Sequence, residues 1–421
     1  MYLFRHINFL KAVCYHSITA FGGPQVTVGL MHNRFVETRK DITEEELMEY
    51  NAFCQLLPGA SSTQTIVLVG FKRGGVPLAL LTLLVWIFPA ATIMACLAIL
   101  FSHYKIAWIL KSLLLLQPMS VGFIASAALL LFKKAVNNVI TRWIFIISCA
   151  ITFVGFNSPW TIPIIIILSG IVTNFSKKRI PERGDAPKSI KWISIVVFAF
   201  LFIVAGFFSE KSATENWKHK KVFNLFENNY RFGSLVFGGG DVLIPIMYEQ
   251  YVTRPQSDHI KKSKRDVISI SSETFLTGSG LVRAVPGPIF SISSYMGAIA
   301  LKDSGIIWQF IGAAVASAGI FLPSFLIVLF FFPIWQKLKK FALFYRSLEG
   351  IYAAIVGVMT GATLYLAKDI ALKLSATNSL QIGTYIIIFI ASTYLLYKHK
   401  LAPQWIALSC LLLGALLSNW I

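Results

Sequence analysis

The stretch FGGPQVTVGL, Phe21–Leu30, lies inside an apolar segment near the start of the chain, and FGGGDVLIPI, Phe237–Ile246, repeats its pattern in the second half. Paired glycines and a following proline interrupt a helix, so these two stretches mark where helices break in each half. Their surroundings are those of a membrane protein. Of 421 residues, 56% are hydrophobic and 14% charged, against about 25% charged in a soluble domain; mean hydropathy is +0.68. Runs such as Val76–Phe101, Ile190–Ser209 and Ile306–Pro333 reach the roughly 20 residues a helix needs to cross a bilayer. They are expected to be helical, because only helices and closed barrels satisfy the backbone in lipid and the alternation of a barrel strand is absent.

Working outward from the two glycine stretches, further landmarks recur in order. LLPGA at Leu56 pairs with AVPGP at Ala284, FPAAT at Phe88 with LPSFL at Leu322, and VGFIASAALLLFKK at Val121 with VGVMTGATLYLAKD at Val356. An insertion around Thr253–Asp266 takes up the difference in spacing. The chain therefore reads as two copies of one unit: a first repeat over 1–175, a linker over 176–221 and a second repeat over 222–421. The linker holds a basic stretch, Ser176–Lys191, and one connecting transmembrane helix, Trp192–Ser209.

A single crossing between two units of even crossing number turns the second unit upside down, and basic residues should then exchange loops. Lys72, Arg73, Lys133, Lys134 and Arg142 mark the rich loops of the first unit, while its poor turn carries only Lys105. In the second unit the counterpart of that poor turn holds Lys337, Lys339, Lys340 and Arg346, and the counterparts of the rich loops are thin, with Lys302 beside Asp303 and Lys368 beside Asp369. Lys211–Lys221 and Lys261–Arg265 fit this swap less well. The expected fold class is an all-α polytopic membrane protein with two inverted-topology repeats, broken or re-entrant helices and a single linker transmembrane helix.

The arms that flank the breaks, Phe9–Ala20, Gln25–Val36, Glu44–Leu57 and Ser61–Lys72, are each roughly 12–14 residues, about 20 Å of helix, and reach only part-way across a core of about 30 Å. A helix that restarts inside the membrane leaves its first N–H groups free and its positive dipole end in the gap, where an oxyanion can be held. Gly22, Gly23, Pro24, Pro58, Gly59, Gly238, Gly239, Gly240, Pro286, Gly287 and Pro288 form the four breaks. Beside them stand Gln25, Thr27, Gln55, Ser61, Ser62, Thr63 and Gln64 in the first unit, and Asp241, Ser279, Arg283, Ser291 and Ser293 in the second. Arg283, aligned with Gln55 three residues before a proline, is a membrane cation and so a candidate for substrate binding; the alternatives are an ion pair with Asp241 or Glu273, or snorkelling to the interface. Aligned Glu45 and Glu273 read as solvated loop positions, and His16 and His32 as packed polar groups.

Together FGGPQ and FCQLLPGASSTQ in the first unit, with FGGGDVLIP and VPGPIFSISSYMG in the second, resemble the chromate ion transporter (CHR) family in its long, two-domain form, over essentially the whole chain. The resemblance implies export or exchange of oxyanions such as chromate, with sulfate as the related anion, by a multi-pass protein of the bacterial cytoplasmic membrane. This chain departs from the family pattern in three places: Thr27 where a histidine is usual, Arg283 where many members have glutamine, and PGA in the first unit where PGP is favoured. These bear on the substrate more than on the fold.

No cofactor and no metal are expected, because Cys14, Cys54, Cys96, Cys149 and Cys410 stand singly in apolar stretches. The N-terminus reads as mature sequence, since Lys11 and His16 interrupt its apolar run. The formal charge of +19 is scattered over loops and speaks against a nucleic-acid partner. The expected partners are the oxyanion and the lipid bilayer, with a homodimer also compatible. An anion channel shares the site chemistry. An intramembrane aspartyl protease, suggested by the short Gly-x-Gly-Asp pattern at Gly238–Asp241, would need a second membrane aspartate, and Asp303 and Asp369 lie at expected helix ends. No phosphate-binding P-loop pattern is present, so a carrier of this kind draws on a gradient and is not an enzyme.

Overall fold

The computed structural model describes residues 2–21, 23–104, 112–156, 158, 161–175, 192–237, 239–257, 260, 267–335, 342–374, 379–398 and 400–417. Among these the chain is all helical. In chain order the helices are α1 (Tyr2–Thr19), α2 (Gly23–Met31), α3 (Glu44–Leu56), α4 (Ser61–His103), α5 (Leu116–Ala135), α6 (Val139–Gly155), α7 (Thr161–Asn174) and α8 (Ile193–Thr214). There follow α9 (Lys220–Leu235), α10 (Gly240–Tyr248), α11 (Ser272–Ala284), α12 (Ile292–Ala300), α13 (Ile306–Phe331), α14 (Ala342–Leu374), α15 (Ser379–Tyr397) and α16 (Pro403–Leu416). Five of the helices are long and apolar enough to cross a membrane.

Helix α4 is two helices. Gly74 and Gly75 leave helical geometry, Gly75 with φ 65°, and the chain folds back there. Trp86 Nε1 donates to Thr63 Oγ1 at 3.0 Å, although 23 residues of straight helix would separate the two by about 35 Å. The short arm Ser61–Arg73 therefore lies antiparallel to a long arm that starts at Val76.

With that division the helices of the two halves recur in order: α1 and α9, α2 and α10, α3 and α11, the short arm of α4 and α12, the long arm and α13, and then α5–α7 and α14–α16. Even the irregularities recur, since α2 runs on into π-helix over His32–Thr38 and α10 over Glu249–Thr253. Helix α8 stands alone between the halves.

The paired short helices are hairpins that stop part-way. Helix α3 is 13 residues long, about 20 Å. Glu46 near its start pairs with Lys72 at the end of the returning arm, so both open ends lie together and the tip is Leu57–Ala60. Helices α1 and α2 form a second hairpin, with Phe9 against Phe35 at 5.8 Å and the tip at Ala20–Phe21. Asp41, held by Arg39 and Arg73, ties the open ends of these two hairpins to each other. In the second half, α9 and α10 close on one another through Asn229 and Tyr251, and α11 and α12 through Gly278 against Tyr295.

The long arm of α4 and α13 run antiparallel. His103 at the end of α4 bonds Gln309 at the start of α13 (2.7 Å), and Phe332 just past the end of α13 packs on Tyr50 and Phe71 at the open end of the α3–α4 hairpin. The turn Leu301–Gly305, which follows α12 and enters α13, thus lies at the other end of the molecule from Lys72.

Beside the hairpins, α5–α7 and α14–α16 make a bundle held by close helix approach at small residues, as membrane packing requires. Gly122 of α5 packs against the Phe389 carbonyl and Ser392 of α15; its counterpart Gly357 of α14 packs against the Phe145 carbonyl and Ser148 of α6. Each half thus presents the same glycine to the same helix of the other half. On their outer faces these helices reverse the polarity of a soluble bundle. On α6 the buried positions include Thr141, Ser148 and Thr152 while Trp143, Ile147, Ile151 and Val154 face outward. Helix α8 likewise turns Val196, Phe200, Ile203 and Phe207 outward, a stripe at helical spacing. This is a multi-pass membrane protein.

The glycine contacts give a first prediction. A Cβ on Gly357 would lie 2.6 Å from the Phe145 carbonyl oxygen, so Gly357→Leu should lower stability by roughly 1–3 kcal/mol. Gly206→Ala, where nothing lies within 4 Å of an added Cβ, should not. Thermal melts followed by size exclusion in detergent measure both, and equal melting of the two variants would disprove the close packing.

Candidate functional site

The hairpin tips meet. The N–H of Gly59, at the tip of α3–α4, donates to the Val236 carbonyl at the tip of α9–α10 (2.7 Å), and the N–H of Gly287, at the tip of α11–α12, donates to the Ala20 carbonyl at the tip of α1–α2 (2.9 Å). Gly59 and Gly287 are counterparts, as are Ala20 and Val236, so one contact is made twice. Both glycines have positive φ, 107° and 115°, and neither has room for a side chain. A Cβ on Gly59 would strike Ser324 of α13, and one on Gly287 would come within 2.7 Å of Ala90 on the long arm of α4. Ala90 and Ser324 each follow the proline of a repeated landmark, so the helices behind the tips are matched as well.

At this junction Thr27, Ala60, Ser61, Ser62, Gly239, Gly240 and Gly287–Phe290 line a narrow cavity of about 10 Å³, room for about one water molecule. Two helices start on it, and no side chain caps either. Ala60 precedes the short arm of α4 and Gly239 precedes α10. The 3-10 turn Ile289–Ser291 opens from Pro288, also without a side-chain cap. At the outer ends of the α3–α4 and α11–α12 hairpins the opposite holds: Thr43 and Glu46 form a capping box on α3, and the Ser271 hydroxyl caps α11 through the Thr274 N–H, whereas α9 starts from His219 without a side-chain cap. Free N–H groups at a helix start carry about half a positive charge. Here two such starts face one small volume.

Arg283 is 8% exposed, near the end of α11. One Nη donates to Asp241 in the first turn of α10, and the Phe123 ring of α5 lies 5.5 Å from the guanidinium. The ion pair with Asp241, one of the alternatives open from sequence, is therefore formed. The hydroxyls of Ser291 and Ser293 are buried without a partner.

Of the other expected site residues, Thr27, Ser61, Ser62, Gly239, Gly240, Gly287 and Pro288 line the cavity. Gln64 is turned away and braces the tip, its Nε2 donating to the carbonyls of Pro58 (2.8 Å) and Ser324 (3.3 Å). Gln55 is exposed, with its carbonyl accepting from the Tyr352 hydroxyl of α14. Pro58 and Pro286 are half-buried tip residues, and Ser279 is buried within α11. Gly23, Pro24 and Gln25 open α2, while Gly22 and Gly238 lie outside the described residues. Glu45 and Glu273 occupy exposed first-turn positions of α3 and α11 instead of loops, where carboxylates suit the positive helix end. His16 is buried in a stack on Trp86 (5.1 Å) beside Phe35, and His32 pairs with Glu37 and Glu44. Asp369 is inside α14, accepting from Tyr248 (2.6 Å) and Ser272 (3.0 Å).

Ala60, Ile289, Phe290 and Phe123 do not stand out in the sequence. They are apolar and carry no chemical signal; Ala60 and Ile289 are legible only as flanks of the matched proline-glycine landmarks. No group of three or more metal-ligating side chains occurs among the described residues.

Known proteins resemble this chain over most of its length. The sequence model of the family described as chromate transporter matches residues 7–174 and 223–415. A chromate transport protein of Cupriavidus metallidurans is 24% identical over 397 residues, covering 94% of this chain and 88% of the relative. An uncharacterized transporter of Methanocaldococcus jannaschii is 26% identical over 422 residues, 98% and 93% of the two chains. A chromate transport protein of Pseudomonas aeruginosa is 22% identical over 414 residues, 96% and 89%. No solved structure matches.

The contrast between capped and uncapped starts can be tested. Ala60→Ser supplies the missing cap and should reduce anion binding at least tenfold with little change in melting, because the hydroxyl takes an N–H that faces the cavity. Thr43→Ala removes an outer cap and should cost about 1 kcal/mol of stability with binding unchanged. Titration and melting of both variants check this; an Ala60→Ser protein that binds like wild type would separate the helix start from the site.

Proposed function

Because the chain belongs to the chromate transporter family, we propose that it is a secondary transporter that carries chromate and related tetrahedral oxyanions across the cytoplasmic membrane of a bacterium. The observation that carries this reading is the convergence of uncapped helix starts on one small cavity, with Arg283 paired to the first turn of one of those helices. Helix starts and a guanidinium are the groups that replace the hydration of an oxyanion. Thr27 contributes a hydroxyl, which donates one hydrogen bond and does not titrate near neutrality.

We further infer that the two repeats are inverted in the membrane. In support, the long arm of α4 and its counterpart α13 are antiparallel, and their hairpins open at opposite ends. Lys72 and Arg73 lie at the same end as Phe332 and Trp335, from which the sequence runs into Lys337, Lys339 and Lys340. Basic residues collect on the cytoplasmic side, so that end is the cytoplasmic one.

Outward movement of a dianion needs no nucleotide. An interior-negative potential is worth about 2.3 kcal/mol per charge per 100 mV, so two charges gain about twice that on leaving the cell. Export of chromate alone follows from this balance; one-for-one exchange with sulfate moves no net charge and draws instead on the concentration gradients of the two anions. Asp241 meets an arginine in place of a second aspartate, which favours anion handling over aspartyl proteolysis.

The test is flux of labelled chromate and sulfate in proteoliposomes under an imposed potential. Saturable flux with counter-transport is expected; flux that never saturates would identify a channel, and no flux of either anion in any gradient would refute the proposal. Arg283→Gln should weaken apparent affinity roughly 10- to 100-fold, the range for a hydrogen bond to a charged group.

A further inference from the structure

On the premise that this chain transports oxyanions, we propose that Asp241 is a tethered stand-in for the transported anion, which holds Arg283 and the start of α10 until an oxyanion displaces it.

The Arg283–Asp241 pair is not built as a closed structural bridge. Arg283 engages Asp241 through one Nη, while its Nε is buried with no hydrogen-bond partner. A guanidinium presents a planar fork that suits two parallel bonds to an oxyanion, and half of this fork is unused. The partners also differ in access, with the Asp241 side chain 22% exposed and that of Arg283 7%. The carboxylate is the member that can move out.

Asp241 serves a second positive element at the same time. It sits in the first turn of α10, whose cap residue is Gly239, with φ 94° and no side chain to satisfy the helix start. A carboxylate in the first turn is stabilised by the helix dipole. Arg283 is thus held by a tethered carboxylate that also sits in the first turn of the helix whose start faces the cavity, one residue beyond the cavity-lining Gly240. An incoming anion competes with Asp241 for the same charges.

The arrangement gives the empty carrier a means of return. A bare guanidinium inside the membrane is costly, and a site that neutralises itself after release avoids that cost. The loaded and empty forms then differ by which anion Arg283 holds, a two-state element whose balance the substrate shifts.

Asp241→Asn in the full-length protein tests this. Against sulfate and chromate, it should bind at least tenfold more tightly than wild type, gain more thermal stabilisation from saturating anion than wild type gains, and turn over more slowly in exchange. Wild-type binding with no gain in Asp241→Asn would overturn this inference alone. If neither anion binds to or stabilises the wild type, the transport reading fails and takes this inference with it. Should Asp241→Asn not fold, the wild type and Asp241→Glu carry the test. Anion binding must then shift a carboxylate band in the infrared difference spectrum, and that band must move in Asp241→Glu. A spectrum without a carboxylate change overturns the proposal.

Discussion

The two backbone bonds between hairpin tips, Gly59 to Val236 and Gly287 to Ala20, are the contact on which the rest of the architecture turns. Interrupted backbone inside a bilayer must find partners within the protein. A hairpin that stops part-way across has an especially exposed tip, and here each tip finds its partner on a tip from the other repeat. The consequence reaches into the sequence. The donor must approach a carbonyl against a helix wall, at positive φ, so glycine is required at both positions. The walls, Ala90 and Ser324, must be small. Because the tips are joined, the helix starts beside them face a common volume, and the site is a by-product of solving the backbone problem.

Around that junction close glycine approaches run through both layers, as between Gly297 and Gly312 and between Gly233 and Ile320 among the hairpins and long arms. Hairpins and the long arms of α4 and α13 bury aromatic and aliphatic side chains, with Phe53, Phe275 and Tyr295 nearly inaccessible. The bundle of α5–α7 and α14–α16 also buries large apolar groups such as Met119, Phe123, Ile166 and Met359, but its closest approaches are at glycines and hydroxyls, and it turns many other large apolar groups outward. Lipid gives no hydrophobic drive to bury leucine, so close backbone approach holds these helices. The reciprocal use of Gly122 and Gly357 shows that the repeat extends into this layer as well as the hairpins.

Much of this is legible in the sequence because its punctuation is repeated. Glycine and proline mark breaks whatever surrounds them, and the recurrence of FGGP with FGGG and of LLPGA with AVPGP locates all four tips. The fold-back at Gly74–Gly75 is legible as a boundary, since Lys72 and Arg73 separate the arm Ser61–Lys72 from the run that starts at Val76. That the two arms then lie antiparallel in contact is not written in the sequence. Side-chain direction is the other gap. Gln64 and Thr63 stand on the same short arm as Ser61 and Ser62, yet one braces Pro58 and Ser324 and the other accepts from Trp86, because helical rotation turns them from the cavity by roughly 100° per residue. The choice between a bound anion and Asp241 as the partner of Arg283 is open in the sequence for a related reason: the two residues are 42 apart, and only the joined tips bring α10 and α11 to the same point.

The size of the cavity sets a last constraint. About 10 Å³ admits one water molecule and not a tetrahedral oxyanion, so binding requires the walls to part. The tip-to-tip bonds limit how. Each ties a hairpin of one repeat to a hairpin of the other, so the hairpins cannot separate repeat from repeat without exposing backbone in the membrane. Between hairpins and bundle the polar ties are of a different kind and include Tyr352 on the Gln55 carbonyl, Ser120 on the Leu276 carbonyl, and Tyr248 with Ser272 on Asp369. These are hydroxyl bonds, which re-form with a neighbouring acceptor or with water at small cost, whereas a severed backbone pair in a dry interior does not. The cavity is lined by hairpin residues alone, so any enlargement that preserves the junction must come from hairpins tilting about the two tip bonds, and the hydroxyls along their boundary with the bundle are the bonds that exchange as they tilt.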